Sequence, residues 1–170
     1  FFIANILVAD HDFHNENVGI VRNKNGLNYI ARIDLERAFH YNITGKNYNS
    51  ETPKLKKDIP SIFMEEMLRE GYPMDKFDDI EVMANIIQII RNIDFRDMHK
   101  IISLSLSNIK EAYGDDFLTN QETSRILKER MGFKENTDLN EGLITKTILL
   151  NMRELQKQIL DFSVDRTKEV

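Results

Sequence analysis

The alternation of hydrophobic and polar positions divides the chain into a short extended region near its start and a long helical remainder. Residues 1–9 are apolar without interruption, which predicts the end of a buried helix. A polar loop from Asp10 to Glu16 follows. Two short apolar runs, Asn17 to Val21 and Leu27 to Ile33, then flank Asn23-Lys24-Asn25-Gly26. An Asn-Gly step supplies the positive φ angles of a tight turn, so these runs predict a β-hairpin. From His40 to Asp58 the sequence is polar and aperiodic, with Gly45 and Pro53, and predicts a mobile loop.

Beyond Pro60 the period changes to that of helices. Pro60 suits a first helical position, and Ser61 to Arg69 follow it before Gly71 and Pro73 stop the helix. Ile80, Met83, Ala84, Ile87 and Ile90 mark a helix over 79–92. Met98, Ile101, Ile102, Ser105 and Ile109 mark another over 95–113, ended by Gly114. Asn120 caps a predicted helix from Gln121 to Met131 that stops at Gly132. Asp138 with Glu141 forms a capping-box-like start for a last helix reaching about Thr167. Its apolar stripe runs through Leu143, Thr147, Leu150, Leu155, Ile159 and Phe162. Acidic pairs at Glu65-Glu66 and Asp78-Asp79 are read as complements to helix dipoles. The fold class expected is mainly α with a small β-hairpin. It forms a single domain over 1–170, with 59–170 as a helical bundle.

Composition narrows the picture further. The chain has 170 residues, enough for one core, and 30% charged residues with 41% hydrophobic ones exclude disorder. A formal charge of −5 argues against general nucleic-acid binding. Without cysteine there is no disulfide, thiolate metal site or cysteine nucleophile, and a cytoplasmic location is expected. No basic segment precedes the opening apolar run, which therefore does not read as a signal peptide; the chain reads as a piece of a longer protein.

Candidate chemistry concentrates between residues 10 and 60. Asp12-Phe13-His14-Asn15-Glu16-Asn17 has the form DxHxxN, and Asp34 follows the second strand in Ile33-Asp34-Leu35-Glu36-Arg37-Ala38-Phe39. Phosphoryl transfer from a magnesium nucleotide needs such groups. One carboxylate orients or deprotonates the attacking hydroxyl, while an amide oxygen and a second carboxylate hold Mg²⁺, which prefers oxygen ligands. A hairpin between Asn17 and Asp34 brings both to one end of a ribbon, beside the loop that holds Asp12. His14 is suited to bond a phosphate oxygen or brace the loop.

These motifs resemble the kinase-like superfamily, most closely its phosphatidylinositol 3- and 4-kinase branch. The resemblance covers about residues 1–70: ANILVADHDFHNENVGIV is similar to the catalytic loop, IDLERAF to the metal-binding segment, and KLKKDIPSIFMEEML to the activation loop and the helix beyond it. It implies the C-terminal lobe of a kinase-like fold whose N-lobe lies outside this chain, with 1–58 as the catalytic-loop, hairpin and activation-loop segment. It implies Asp12 as the catalytic base, His14 near the γ-phosphate, and Asn17 and Asp34 as ligands of Mg²⁺ with ATP. Lys54, Lys56 and Lys57 would meet an anionic inositol headgroup at a membrane surface. The fragment alone would be inactive. The richness in Asn, Ile and Lys fits an AT-rich bacterial genome, where analogy makes such an enzyme a host-directed effector.

Leu35-Glu36 departs from that branch's Phe-Gly and lies closer to aminoglycoside phosphotransferases and choline kinases, so a small-molecule phosphotransferase is the second expectation. The third is a non-catalytic helical module that binds a lipid or a protein. His99 is read as a surface or half-buried residue of its helix. Ser103, Ser105 and Ser107 have no neighbouring base and do not suggest a serine hydrolase.

Overall fold

The computed structural model describes residues 6, 7, 9, 18–32, 38, 39, 41, 59–69, 71 and 79–168. Among them are two strands, β1 (Val18–Arg22) and β2 (Asn28–Arg32), and five helices. The helices are α1 (Ile59–Arg69), α2 (Ile80–Arg91), α3 (Phe95–Tyr113), α4 (Gln121–Met131) and α5 (Glu141–Lys168). The mainly helical class with one small antiparallel sheet is therefore as expected.

The strands pair with Val18 opposite Arg32 and Arg22 opposite Asn28. This register leaves three residues between Asn23 and Leu27, whose backbones are joined at 2.9 Å, and of the positive φ angles expected from the Asn-Gly step only that of Gly26 is found. The Gly26 amide returns to the Asn23 carbonyl at 3.0 Å, and Gly26 takes φ +78° while Asn25 stays out of the left-handed region. That is a type I turn followed by a left-handed glycine. The Asn23 side chain accepts from the amides of Asn25 and Leu27, both at 2.9 Å, and so holds the turn.

Helices α2 to α5 each start where a short polar side chain satisfies amides that the helix leaves without partners. Asp79 accepts from Glu81 and Val82 ahead of α2, Asp94 from Arg96 ahead of α3, and Asn120 from Glu122 and Thr123 ahead of α4. The α5 start differs from the expected capping box. Asn140, not Asp138, caps it, accepting from the Leu143 amide at 2.9 Å. Glu65 lies in the middle of α1, which has no acidic residue in its first turn, so the dipole account does not apply to it. At the end of α4, Gly132 adopts the left-handed conformation and both its amide and that of Phe133 bond the Lys128 carbonyl.

The long α5 is the centre of the bundle, packing against α1, α2 and α3. Ile144, Ile148, Met152, Leu155 and Ile159 form its buried row, and Thr145, Thr147 and Asn151 are buried beside them. Leu143, Leu150 and Phe162, expected in the stripe, are only half-buried. A helix covered on several sides buries more than one row, so its hydrophobic residues trace no single stripe. Met83 and Ile90 of α2 and Leu106 of α3 are buried, and Gln156 donates to the Ile90 carbonyl at 2.7 Å, tying α5 to the end of α2. Phe63, Met64 and Met67 of α1 join the same core, as do Ile6, Ala9 and Tyr41 from the first part of the chain.

Candidate functional site

The stretch from Asp12 to Asp34 has buried residues on both sides of it in the sequence. Ile6 and Ala9 before it, and Ala38 and Tyr41 after it, are buried. Phe39 meets Tyr41 edge-on, with ring centroids 6.4 Å apart. Burial of Tyr41 pushes its phenol pKa far up, so the ring stays neutral. Ala9 and Phe39 carry φ of 49° and 59°. A side chain is strained in that left-handed region, at a cost of about 1–3 kcal/mol that the surrounding packing must offset.

Between these residues in the sequence lies the hairpin, with Ile20, Val21, Leu27 and Tyr29 exposed. Residues 18–32 include Arg22, Lys24 and Arg32 and no acidic residue, a local positive excess in a chain of net charge −5. Asp12, His14, Asn17, Asp34, Lys54, Lys56 and Lys57 all lie outside the described residues, as does the expected loop over 40–58. Among the described residues no three His, Asp or Glu side chains gather as a metal site. No described helix is long and apolar enough to cross a membrane.

A second feature lies between α3 and α5. These helices run antiparallel: Lys110 near the end of α3 meets Glu141 at the start of α5 at 3.6 Å. At the other end the Arg153 guanidinium sits 5.1 Å from the centre of the Phe95 ring. Between the two ties is a groove of about 510 Å³. His99 and Ser103 line it from α3, and Gly142, Thr145, Lys146, Leu149, Leu150 and Arg153 from α5, with Glu141 at one end. The sequence suggested a surface or half-buried place for His99, which is exposed, and set Ser103 aside. The spacing of Lys146, Leu149, Leu150 and Arg153 marks one helical face, but nothing in the sequence says that it opposes His99 and Ser103.

A family model described as the LepB N-terminal domain matches residues 1–163. No curated protein matches, and no solved structure does. The match corrects the resemblance to phosphatidylinositol 3- and 4-kinases, and the second one to aminoglycoside phosphotransferases and choline kinases, because the family matched is not a kinase-like one. The match gives no support to the designations kinase, phosphoinositide and ATP-binding, which rested on that resemblance. Short motifs such as DxHxxN recur in unrelated chains, whereas this match runs nearly end to end. By a match over 163 of 170 residues, the chain belongs to the LepB N-terminal domain family.

Proposed function

We propose that the segment from Asp12 to Asp34 serves a magnesium-dependent phosphotransferase that moves a phosphoryl group from a nucleotide to a hydroxyl acceptor. Residue chemistry and the hairpin support this reading, and descent does not. The hairpin carries it: Val18 is paired with Arg32, and in sequence Asn17 is one residue from the first and Asp34 two from the second. Two oxygen donors this close in sequence to the paired ends of a ribbon suit a hard cation that keeps several of its waters. The basic ribbon suits the polyphosphate, and the two strained residues, Ala9 and Phe39, bracket the segment, as strained backbone does at functional sites.

In this reading Asp12 accepts the proton of the attacking hydroxyl and holds that oxygen in line. His14 donates a hydrogen bond to a phosphate oxygen. Asn17 and Asp34 would hold Mg²⁺, which when bound neutralises charge on the phosphates.

The test is phosphate transfer from labelled Mg-ATP to a panel of sugars, amino alcohols and lipids, using the intact protein and its Asp12→Ala and Asp34→Ala variants. Removal of a general base costs about 10²–10⁴-fold, so Asp12→Ala should abolish transfer with the fold retained. Asp34→Ala should in addition weaken Mn²⁺ binding followed by electron paramagnetic resonance. Transfer unchanged in both variants, or no metal-nucleotide binding by the unaltered protein, overturns the reading and leaves a non-catalytic binding module.

A further inference from the structure

We propose that the groove between α3 and α5 binds a small amphiphilic anion, a phosphate or carboxylate joined to a short apolar chain. The site is built wholly from α3 and α5 and is independent of the phosphotransferase reading. Its volume of about 510 Å³ falls within the roughly 300–1,000 Å³ of small-molecule sites. The groove lies between the Lys110–Glu141 and Phe95–Arg153 contacts, of which Glu141 and Arg153 belong to its lining.

Charge selects an anion. Lys146 and Arg153 bring two fixed positive charges to the lining, against the single carboxylate of Glu141. That carboxylate is already engaged by Lys110, which Asp115 also pairs at 3.1 Å. In a chain of net charge −5, a groove with a cationic surplus is a local reversal that attracts anions. The Ser103 hydroxyl and the His99 ring add hydrogen-bonding groups on the opposite wall. Leu149 and Leu150 supply the apolar part of the lining, which a bare phosphate or a sugar phosphate would leave wet.

The test is an amide NMR titration of the full chain with hexyl phosphate, with inorganic phosphate and hexanol in separate titrations. Hexyl phosphate should produce saturable shifts at Ser103, Thr145, Lys146 and Leu149. Either half-ligand should bind about 10-fold more weakly or worse, because each lacks one kind of contact. Lys146→Glu, at an exposed position, should weaken hexyl phosphate by about 10-fold or more. Ser103→Trp should block the groove with the charges intact, and thermal unfolding verifies that both variants fold. The proposal is overturned if no probe binds, if the shifts map elsewhere, or if folded Lys146→Glu binds as tightly as the unaltered chain. Inorganic phosphate or hexanol binding as well as hexyl phosphate would overturn it equally.

Discussion

Leu155 and Leu104 are the same residue type in two helices of the same bundle, and their environments are opposite. Leu155 is 0% exposed on α5, within the cluster that joins α5 to its neighbours, whereas Leu104 on α3 is 63% exposed. Leu155→Ala removes three buried carbons, each contributing about 0.8 kcal/mol, for a transfer loss of about 2.4 kcal/mol. A cavity in a core held from several sides cannot fully collapse, which brings the expected total to about 3–4 kcal/mol. Leu104→Ala removes the same atoms from water-facing positions and should change stability by about 0.5 kcal/mol or less. For a chain of this size each kcal/mol shifts the melting temperature by about 2–4 °C, so the expected falls are roughly 6–16 °C and under about 2 °C. Urea unfolding followed by far-UV circular dichroism, with a thermal melt on each variant, measures both. A Leu155→Ala loss below about 1 kcal/mol, or one equal to that of Leu104→Ala, would refute the placement of α5 at the centre of the core.

Two further predictions concern helix starts. Asn140→Ala should cost about 1 kcal/mol because it strips the α5 cap, while Asp138→Ala should be near neutral; urea midpoints reversed in order would restore Asp138 as the cap. The hydrogen bonds that Asp94 accepts from the Arg96 side chain and then from its backbone amide lower the carboxyl to about 2. Its folded pKa is depressed, so its contribution is present above the unfolded value of about 3.9 and is lost as pH falls through about 2. A carboxyl-carbon NMR titration should find that low midpoint in the unaltered chain and a higher one in Arg96→Ala; a midpoint in the usual carboxylate range in the unaltered chain would refute the pairing.

Local signals were read well because they act over a few residues. Asn120 announced a helix start, and Gly114 and Gly132 helix ends, since a cap needs only a short polar side chain or a left-handed residue at one position. The α3 bounds came out as expected for that reason. The hairpin was legible from its paired apolar runs, but its turn was not, because strand register decided how many residues the loop would hold. The candidate site was legible only as residue types in order: DxHxxN and the later Asp34 state a chemistry, and the family they suggested was not the one matched.

What the sequence determined by itself is the set of elements, their approximate limits and the concentration of reactive residue types near the hairpin. Those follow from steric preference, capping and periodicity, which operate within one or two turns of chain. Only the tertiary structure decided that α5 lies at the centre of the bundle with several rows buried. It alone brought Ile6, Ala9 and Tyr41 into the core of the later helices, and set His99 and Ser103 across a groove from Lys146 and Arg153. The physical reason is common to all three. Which faces meet is a property of the whole packed set, because a hydrophobic residue in one element lowers the free energy against any apolar partner and names none of them.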